Sequence, residues 1–493
     1  MTTPAWHRTA AWLTLAAIWF LAIGAHRAYA QSDSLQAAVA LEGVLVKAIE
    51  RGEKSVVAIA RVRKQENQRN AAVPVPFRLP SRLSSPADPE FIPNEFGAGV
   101  VVDAAGLILT ASHVLGDTET SAYYVWSEHK PFKAEVIASA PWFDLAVLKV
   151  DATDLKPVTF GDASLLRKGQ IVIALGNPYA IARDGSVSAS WGIVSNLNRQ
   201  APRTPTRSAD PLGRETLHNY GTLIQTDSKL NMGYSGGALL NLKGEMIGLT
   251  TALTASPEFE TAAGFAMPVD ADFKRVVEAL KKGESPEFGF LGVGPEPLDE
   301  SLRRKGVHGA RVVTVIRDTP ADKAGIRVDD VITSVNGQPI YNNDDLFRRI
   351  GALGPGQTAV LTVARGDITD PNVATLNAVV KISKKRTAAL RPAISTVQKP
   401  AWRGLRVDYA TASLRFSRLV ERPPGDSLVV TSVREQSPAW KAGIRAGDFI
   451  THVGDSKVIS PKHFASLVQD QAGDVILHVT RDGRQTTART VSP

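Results

Sequence analysis

The strongest constraint on the fold is a series of short, β-prone runs between residues 97 and 268. Gly, Asn, Asp or Pro separates most of these runs, which are AGVVVD, LILTASHV, AEVIAS, LAVLKV, QIVIALG, WGIVSNL, TLIQTD, ALLNL, MIGLTTAL and GFAMPV. Many short strands with frequent turns are typical of an all-β barrel or sandwich. The amphipathic segment ADFKRVVEALKKG, at 271–283, predicts a helix that closes this domain.

The region before this series predicts a helix, a strand and a long loop. Residues 34–51 have helix-like spacing of Leu, Val and Ala, and residues 55–62 favour a strand. Residues 63–95 carry six prolines, Pro74, Pro76, Pro80, Pro86, Pro89 and Pro93. So many prolines predict an irregular segment, and loops of this length are usually functional or disordered.

The first thirty residues have the features of a secretory signal peptide. A weakly basic start precedes an apolar run at 9–25, and Ala28-Tyr29-Ala30 forms a small-x-small cleavage pattern. The alternative is a retained membrane anchor, but the run is slightly shorter than the ~20 residues that a spanning helix needs. We therefore expect cleavage after Ala30 and a periplasmic or otherwise exported protein.

Composition excludes several kinds of chemistry. The 493 residues, 43% hydrophobic and 22% charged, suit about three globular domains. The absence of Cys excludes disulfides, thiol catalysis and Cys-ligated metals. No metal or organic cofactor is implied, since the nine His residues show no ligand-like pairing. The net charge of +8 is mostly dispersed, which favours peripheral contact with anionic membrane surfaces over nucleic-acid binding.

The C-terminal part contains an internal repeat. TPADKAGIRVDDVITSV, at 319–335, matches SPAWKAGIRAGDFITHV, at 437–453, with a constant offset of 118 residues. The repeat predicts two copies of one module of about ninety residues.

Ser235 lies in the Gly-rich stretch NMGYSGGALL and has two interpretations. It can belong to an ordinary turn before a strand, or it can be a nucleophile beside backbone N–H groups. Nucleophilic serine chemistry needs a base, an orienting carboxylate and donors for the developing oxyanion. His113 follows a predicted strand and Asp144 opens another, so the order His, Asp, Ser occurs within one β-rich domain.

These segments resemble the HtrA/Deg family of trypsin-like serine proteases with C-terminal PDZ domains. The resemblance rests on GAGVVVDAAGLILTASHVL, DLAVLKV, ALGNPYAIARDGSVSASWGIVS and IQTDSKLNMGYSGGALLNLKGEMIGLTTA, and it runs from about residue 35 to the end. It implies a mainly β multidomain protein, in which a chymotrypsin-like double β-barrel precedes two α+β PDZ domains. It divides the chain into a signal peptide (1–30), a protease domain (31–284), a first PDZ domain (285–384), a linker (385–401) and a second PDZ domain (402–493).

The resemblance assigns a role to each residue of the candidate site. Ser235 would be the nucleophile, His113 the general base and acid, and Asp144 the residue that orients the base. The N–H groups of Gly233 and Ser235 would line the oxyanion hole. Leu230 and Met232 lie where the primary specificity pocket is expected, so we expect a preference for small or medium apolar side chains.

Three residues depart from the family pattern around Ser235. Tyr234 replaces the usual Asn, Ala238 a frequent Pro, and Met232 a frequent Pro or Arg. None of these changes removes a catalytic side chain. The sequence therefore predicts an ATP-independent endoprotease for unfolded or misfolded proteins. The alternative is a proteolytically silent peptide-binding chaperone or scaffold, if Tyr234 distorts the turn.

The PDZ modules predict peptide capture and assembly. A PDZ domain binds an extended C-terminal peptide by strand addition, and the carboxylate loop of the first module resembles Phe290, Leu291, Gly292 and Val293. The second module has Arg403 at an apolar position, so it either binds peptide or serves as a spacer in assembly. The resemblance also implies a regulatory loop at 63–95, a sensor loop at 199–218, PDZ-gated activity, and a homotrimer or larger homo-oligomer.

Overall fold

The computed structural model describes the chain from residue 35 onward, with gaps. The described ranges are 35–64, 95–127, 130–177, 186–200, 216–251, 264–370, 372–386, 393–397, 401–418 and 422–493 without 482 and 484. The predicted signal peptide, nearly all of the proline-containing loop and most of the predicted sensor loop at 199–218 lie outside these ranges. Within them, no helix combines the length and the apolarity that crossing a membrane requires.

A helix and a closed β-barrel form the first part of the molecule. Helix α1 (35–52) precedes a six-stranded barrel with the strand order β1-β2-β3-β6-β5-β4. Its strands are β1 (Val56–Arg63), β2 (Glu95–Asp103), β3 (Leu107–Ala111), β4 (Ser121–Ser127), β5 (Lys130–Ala140) and β6 (Leu145–Val150). The predicted runs do not include β4. Its buried positions alternate, but Ser occupies the first and the last of them, which hides the apolar period.

A second closed barrel follows, with the strand order β10-β11-β12-β9-β8-β7. Its strands are β7 (Ile171–Gly176), β8 (Ser188–Arg199), β9 (Leu223–Thr226), β10 (Ala238–Leu240), β11 (Met246–Thr251) and β12 (Gly264–Pro268). The predicted closing helix is α3 (Ala271–Lys281), and the Asp270 side chain caps it by accepting a hydrogen bond from the N–H of Phe273 at 2.8 Å. The expected double barrel is therefore confirmed.

The repeated modules share one topology, which confirms two PDZ-like units. The first sheet has the order β14-β15-β16-β18-β19 and the second β21-β22-β23-β25-β26. The first contains β14 (Val293–Pro297), β15 (Ala310–Val315), β16 (Val331–Val335), β18 (Thr358–Arg365) and β19 (Ala374–Lys381), and helix α6 (Asn343–Ala352) packs against it. The second contains β21 (Leu405–Tyr409), β22 (Leu428–Val433), β23 (Phe449–Val453), β25 (Val475–Thr480) and β26 (Thr486–Val491), and helix α9 (Pro461–Val468) packs against it.

The repeat also duplicates an ion pair between a buried aspartate and a more exposed arginine. Asp330, which is 1% exposed, accepts two hydrogen bonds from the Arg365 guanidinium, each at 2.8 Å. Asp448 is bound by Arg481 at 2.7 and 3.0 Å in the same way. Each arginine also donates to the carbonyl of the Gly in the repeated KAGIR segment. The shared aspartates thus secure the same turn to the sheet in both modules.

Candidate active site

His113 lies where the first barrel opens toward the second. Strand β3 ends at Ala111 and is followed by the single helical turn Ser112–Leu115, which carries His113 and ends at Gly116, with φ 56°. The His113 side chain is 29% exposed. The ring is therefore held by a short rigid turn but remains accessible from solvent.

Asp144 adopts a left-handed backbone conformation, with φ 52° and ψ 35°, just before β6. Its Oδ1 accepts a hydrogen bond from the N–H of His113 at 2.9 Å, and its Oδ2 is 2.6 Å from His113 Nδ1. Its carbonyl accepts from the N–H of Ser112 at 2.8 Å. With Asp144 ionised, the carboxylate can only accept, so Nδ1 of His113 carries the hydrogen and the lone pair of the neutral ring is at Nε2.

The turn with Ser235 is built on glycines that no other residue can replace without strain. Gly233 has φ 98° and Gly236 has φ 86°. A Cβ at Gly233 would lie 2.0 Å from the carbonyl oxygen of Asn177, and one at Gly236 would lie 2.2 Å from that of Ala98. Both the positive φ angles and the close backbone approach therefore require glycine.

Backbone hydrogen bonds attach this turn to both barrels. The Ser235 carbonyl accepts from the N–H of Ala98 in β2 at 2.8 Å, and the N–H of Gly236 donates to the carbonyl of Thr250 in β11 at 2.8 Å. A Cβ on Gly236 would also lie 3.1 Å from the nitrogen of Ala111, which precedes the turn carrying His113. The structure thus pairs His113 with Asp144 and packs the turn of Ser235 against the strands that lead to His113.

The two expected oxyanion donors flank Tyr234. The N–H of Tyr234 itself donates to the Asn231 carbonyl at 3.1 Å, and the Gly233 carbonyl accepts from the N–H of Asn177 at 3.2 Å. These bonds fix the turn on either side of the Gly233 and Ser235 N–H groups, whose role in binding an oxyanion remains a prediction.

Tyr234 fits into the second barrel. Its side chain is 3% exposed and belongs to a core cluster with residues such as Val172, Val194 and Leu239. A Cβ at Gly176 would lie 2.6 Å from the Tyr234 ring, so the absence of a side chain there provides the room. Burial raises the pKa of the Tyr234 hydroxyl. A Cβ at Gly176 would also lie 2.9 Å from the Tyr234 Cα, so this glycine in β7 leaves room for both the backbone and the ring of Tyr234.

Leu230 and Met232, the predicted specificity residues, lie in different surroundings. A Cβ on Gly264, the first residue of β12, would lie 2.9 Å from Leu230 Cδ1, so Leu230 packs beside that strand. Met232 is 62% exposed. Leu230 is the better placed of the two to form part of a pocket wall.

The predicted carboxylate loop of the first PDZ module has a fixed backbone before the edge strand β14. The Leu291 carbonyl accepts from the N–H of Ala321 at 2.9 Å, and the Gly292 carbonyl accepts from that of Ile316 at 2.8 Å. Gly292 has φ 94°. Phe290 ends a short strand, Gly289–Phe290, before the loop, and Val293 begins β14 after it.

The corresponding loop of the second module has the same backbone bonds but a different side chain. Its Arg403 and Gly404 carbonyls accept from the N–H groups of Ala439 and Arg434. The Arg403 guanidinium donates to the carbonyls of Gln471, at 2.9 Å, and Gly473, at 2.6 Å. Arg403 is thus used to bind the backbone of its own module.

Sequence reasoning gave no role of its own to His218, the last residue of the predicted sensor loop, which lies beside the Asp144 segment. His218 is 6% exposed, its Nε2 is 3.1 Å from the Phe143 carbonyl oxygen, and its Nδ1 is 3.1 Å from Thr222 Oγ1. Burial lowers the pKa of His218 below the usual histidine value, although the nearby Asp144 charge opposes this effect. No motif surrounds this residue in the sequence, and its partner Phe143 lies 75 positions away.

Comparison with known proteins agrees with this arrangement. Residues 97–249 match the model of a trypsin-like peptidase domain, and residues 289–378 and 429–481 each match a PDZ domain. The chain is therefore a serine endopeptidase of the trypsin-like class that carries PDZ domains.

The relatives define the family more narrowly. A probable periplasmic serine endoprotease, DegP-like, of Pseudomonas putida (strain W619) is 30% identical over 457 residues, 88% of this chain and 90% of the relative. Its counterpart in Chlamydia trachomatis serovar D is 30% identical over 393 residues, 78% and 72% of the two chains. The solved HtrA-type protease AlgW with tripeptide superposes with a TM-score of 0.51 at 25% identity, covering 69% of this chain and 97% of that one. The chain belongs to the HtrA family of DegP-like serine endoproteases.

Proposed function

We propose that this endopeptidase is an exported, ATP-independent protease that cleaves unfolded or misfolded proteins, with Ser235, His113 and Asp144 as its catalytic triad. The observation that carries the proposal is the pair of hydrogen bonds from His113 to Asp144, one from the ring and one from the backbone. They hold the imidazole in the tautomer that a base needs. The periplasmic naming of the relatives supports export.

The chemistry is acyl transfer in two halves. His113 Nε2 takes the proton of the Ser235 hydroxyl as Oγ bonds to the substrate carbonyl carbon, and the carbonyl oxygen gains the negative charge. The N–H groups of Gly233 and Ser235 stabilise that charge. The C–N bond then breaks as His113 returns the proton to the leaving amine. Water, activated by His113, hydrolyses the acyl-enzyme in the second half.

Substrate choice follows from the surroundings of Ser235. Leu230 packs beside the first residue of β12, and we assign it to the wall of an apolar primary pocket. Such a pocket prefers small or medium apolar residues, which are usually buried in folded proteins. The preference therefore selects unfolded chains.

The first PDZ module binds apolar C-terminal peptides and gates the activity. Strand β14 is at the edge of its sheet, where a peptide can add as a further strand, and the Phe290–Val293 loop precedes it. Helix α6 of the same module packs against the short turn Leu217–Tyr220 of the protease domain, with 4.7 Å between the ring centroids of Phe347 and Tyr220. A peptide bound beside α6 therefore lies on a helix that contacts the protease domain directly.

The apolar surface of α1 supports the proposed assembly into a homotrimer or larger homo-oligomer. Leu35, Val39, Leu41, Val44 and Val46 are each at least 40% exposed. A second copy would remove these side chains from water. Light scattering after size-exclusion chromatography measures the mass, and a monomer at micromolar concentration would contradict the assembly.

The experiment that tests the function compares the purified mature protein with Ser235→Ala on casein, with and without peptides that end in an apolar residue. We expect cleavage by the parent alone, covalent labelling of the parent alone by a fluorophosphonate, and stimulation by the peptides. Retained peptide binding without cleavage or labelling would identify a chaperone or scaffold instead. N-terminal sequencing of the exported protein tests cleavage after Ala30.

A further inference from the structure

A buried histidine and the peptide that precedes the proposed catalytic Asp144 are in direct contact. The short helical turn Leu217–Tyr220 lies against the turn Pro141–Phe143, and it carries His218 with its Nε2 at 3.1 Å from the Phe143 carbonyl oxygen. The two segments are far apart in sequence, so this contact is a product of the tertiary structure.

The chemistry of the partners assigns the hydrogens on His218. A carbonyl oxygen only accepts, so Nε2 carries a hydrogen and donates it to Phe143. The neutral ring then has its lone pair on Nδ1, which accepts from the Thr222 hydroxyl at 3.1 Å. Both ring nitrogens therefore have partners in the neutral state.

This contact completes a two-sided clamp on one peptide group. The carbonyl of Phe143 and the N–H of Asp144 belong to the same planar unit. The N–H donates to the Pro141 carbonyl at 3.1 Å, and the carbonyl accepts from His218. A peptide bonded at both ends cannot rotate without losing a hydrogen bond, so its plane is held.

The orientation of that plane decides where the Asp144 carboxylate points. Asp144 has φ 52°, in the left-handed region, which Asp enters more often than most residues but at a cost in free energy that its surroundings offset. The same conformation directs Oδ1 to the His113 N–H and Oδ2 to its ring. Loss of the clamp on Phe143 would let Asp144 relax and withdraw the carboxylate from His113.

Burial favours the neutral imidazole of His218. It lowers the pKa of His218, and although the nearby Asp144 charge opposes this effect, the net result is a lowered pKa. The cavity that His218 lines toward the first PDZ module also holds Asp270, Asp272, Arg348 and Arg349. These two acidic and two basic residues have opposite charges, so they add no strong preference of either sign.

We propose that His218 is a positioning residue, which holds the Phe143–Asp144 peptide through its Nε2–H and so keeps the Asp144 carboxylate on His113. This proposal rests on the proposed triad. It predicts that the donor at Nε2, and not the ring as such, supports turnover.

Two substitutions of His218 test whether the donor at Nε2 or the ring as a whole supports turnover. His218→Leu removes the donor, and His218→Gln keeps an N–H donor at nearly the position of Nε2. We expect His218→Leu to lower kcat on the order of 10²-fold, as misplacement of catalytic groups does, with KM within about twofold of the parent. His218→Gln should recover most of kcat. His452→Leu, in the second PDZ module, is the matched control for removing a partly buried histidine.

A readout that does not depend on turnover completes the test. In the Ser235→Ala background, the far-downfield proton resonance of the His113–Asp144 hydrogen bond should be present with His218 or Gln and absent with Leu. Equal kcat for all variants, or equal losses for Leu and Gln in folded proteins, would overturn the proposal.

If His218→Leu does not fold, the comparison of the parent, His218→Gln and Thr222→Val decides. Thr222→Val, which removes the Nδ1 partner, should weaken the resonance, and Gln should keep it. An unchanged resonance in Thr222→Val, or its loss in Gln, would count against the proposal. Cleavage by Ser235→Ala itself would instead refute the triad and leave the resonance test intact.

Discussion

At the scale of the residue, the chain tolerates an unusual side chain next to Ser235 because a glycine stands opposite it. The Tyr234 ring fills space that a side chain at Gly176 would otherwise occupy. The usual Asn of the family would leave this space partly empty. Gly176 is needed for the backbone of residue 234 as well as for this pairing with the Tyr234 ring, since a Cβ there would lie 2.9 Å from the Tyr234 Cα.

This pairing predicts that restoring the family residue is harmful. Tyr234→Asn should lower the free energy of unfolding by about 3 kcal/mol, since it opens a cavity and buries an amide in an apolar cluster. Tyr234→Phe removes only the hydroxyl, whose contact with the Ser188 carbonyl is long at 3.4 Å, and should cost less than about 1 kcal/mol. Chemical denaturation measures both. A more stable and more active Tyr234→Asn variant would contradict the pairing.

Asp144 offers a second prediction at this scale. Asp144→Asn should lower kcat on the order of 10⁴-fold with the fold intact, since an amide nitrogen facing Nδ1 favours the wrong tautomer of His113. Circular dichroism controls for folding, and burst kinetics with a chromogenic ester measure acylation. A loss no larger than tenfold would remove Asp144 from the triad.

At the scale of the element, the buried histidine gives the turn Leu217–Tyr220 a pH dependence. Burial lowers the pKa of His218 in the folded state, and the unfolded value is about 6.5. Below that pH the unfolded chain binds a proton at His218 and the folded chain does not. The contribution of His218 to the free energy of unfolding is therefore complete above about pH 6.5 and decreases as the pH falls.

His218→Gln should therefore flatten the stability profile. Between pH 7.5 and 5.5 the parent should lose more free energy of unfolding than the variant, by at most about 1.4 kcal/mol per pH unit. Denaturant titrations at each pH provide the measurement, and the other histidines cancel in the difference. Parallel profiles for the two proteins would show that His218 titrates normally.

The duplicated Asp–Arg pair makes a reciprocal prediction for the PDZ modules. Burial alone would raise the pKa of Asp330, but the Arg365 guanidinium and the Arg327 N–H lower it below the usual value. Arg365→Ala leaves this carboxylate buried without its main donor. Hydrogen exchange should accelerate roughly tenfold in β16 and β18 and stay unchanged in β23 and β25, and Arg481→Ala should do the reverse. Acceleration in both modules from either change would show that they do not open independently.

At the scale of the whole molecule, the segment between the PDZ modules docks on the protease domain. The N–H of Ser139 in β5 donates to the Ile394 carbonyl at 2.9 Å, and the N–H of Thr396 donates to the carbonyls of Ile137, at 3.1 Å, and Gly283, at 3.0 Å. A tract predicted as a linker thus extends the first barrel by a short pairing.

Thr396→Pro should release this segment, because proline has no N–H to donate. In the Ser235→Ala background, which excludes self-cleavage, an added protease should cut near residue 396 several-fold faster than in the parent. Thr396→Ala keeps the backbone donor and serves as the control. Equal cleavage of all three proteins would show that these hydrogen bonds do not restrain the segment.

Local patterns account for most of the fold. Alternating or continuous apolar runs between turn formers identified every strand of the second barrel, and in the first they missed β4, where serines occupy buried positions. The 118-residue repeat predicted two units of one topology. The signals are local because side chains alternate between the two faces of a strand, so the apolar residues of the strand itself show which face is buried.

The amino-acid sequence by itself determined the strand series and the duplicated module, which local patterns reveal. It also indicated the candidate residues His113, Asp144 and Ser235, because each lies in a short motif that resembles the HtrA/Deg pattern. Only the tertiary structure decided which distant residues support them. Arg365 joins Asp330 across 35 positions, His218 reaches Phe143 across 75, and Ile394 reaches Ser139 across 255. Such partners are selected by packing in three dimensions, since a buried donor or acceptor needs a partner at the right distance whatever its place in the chain.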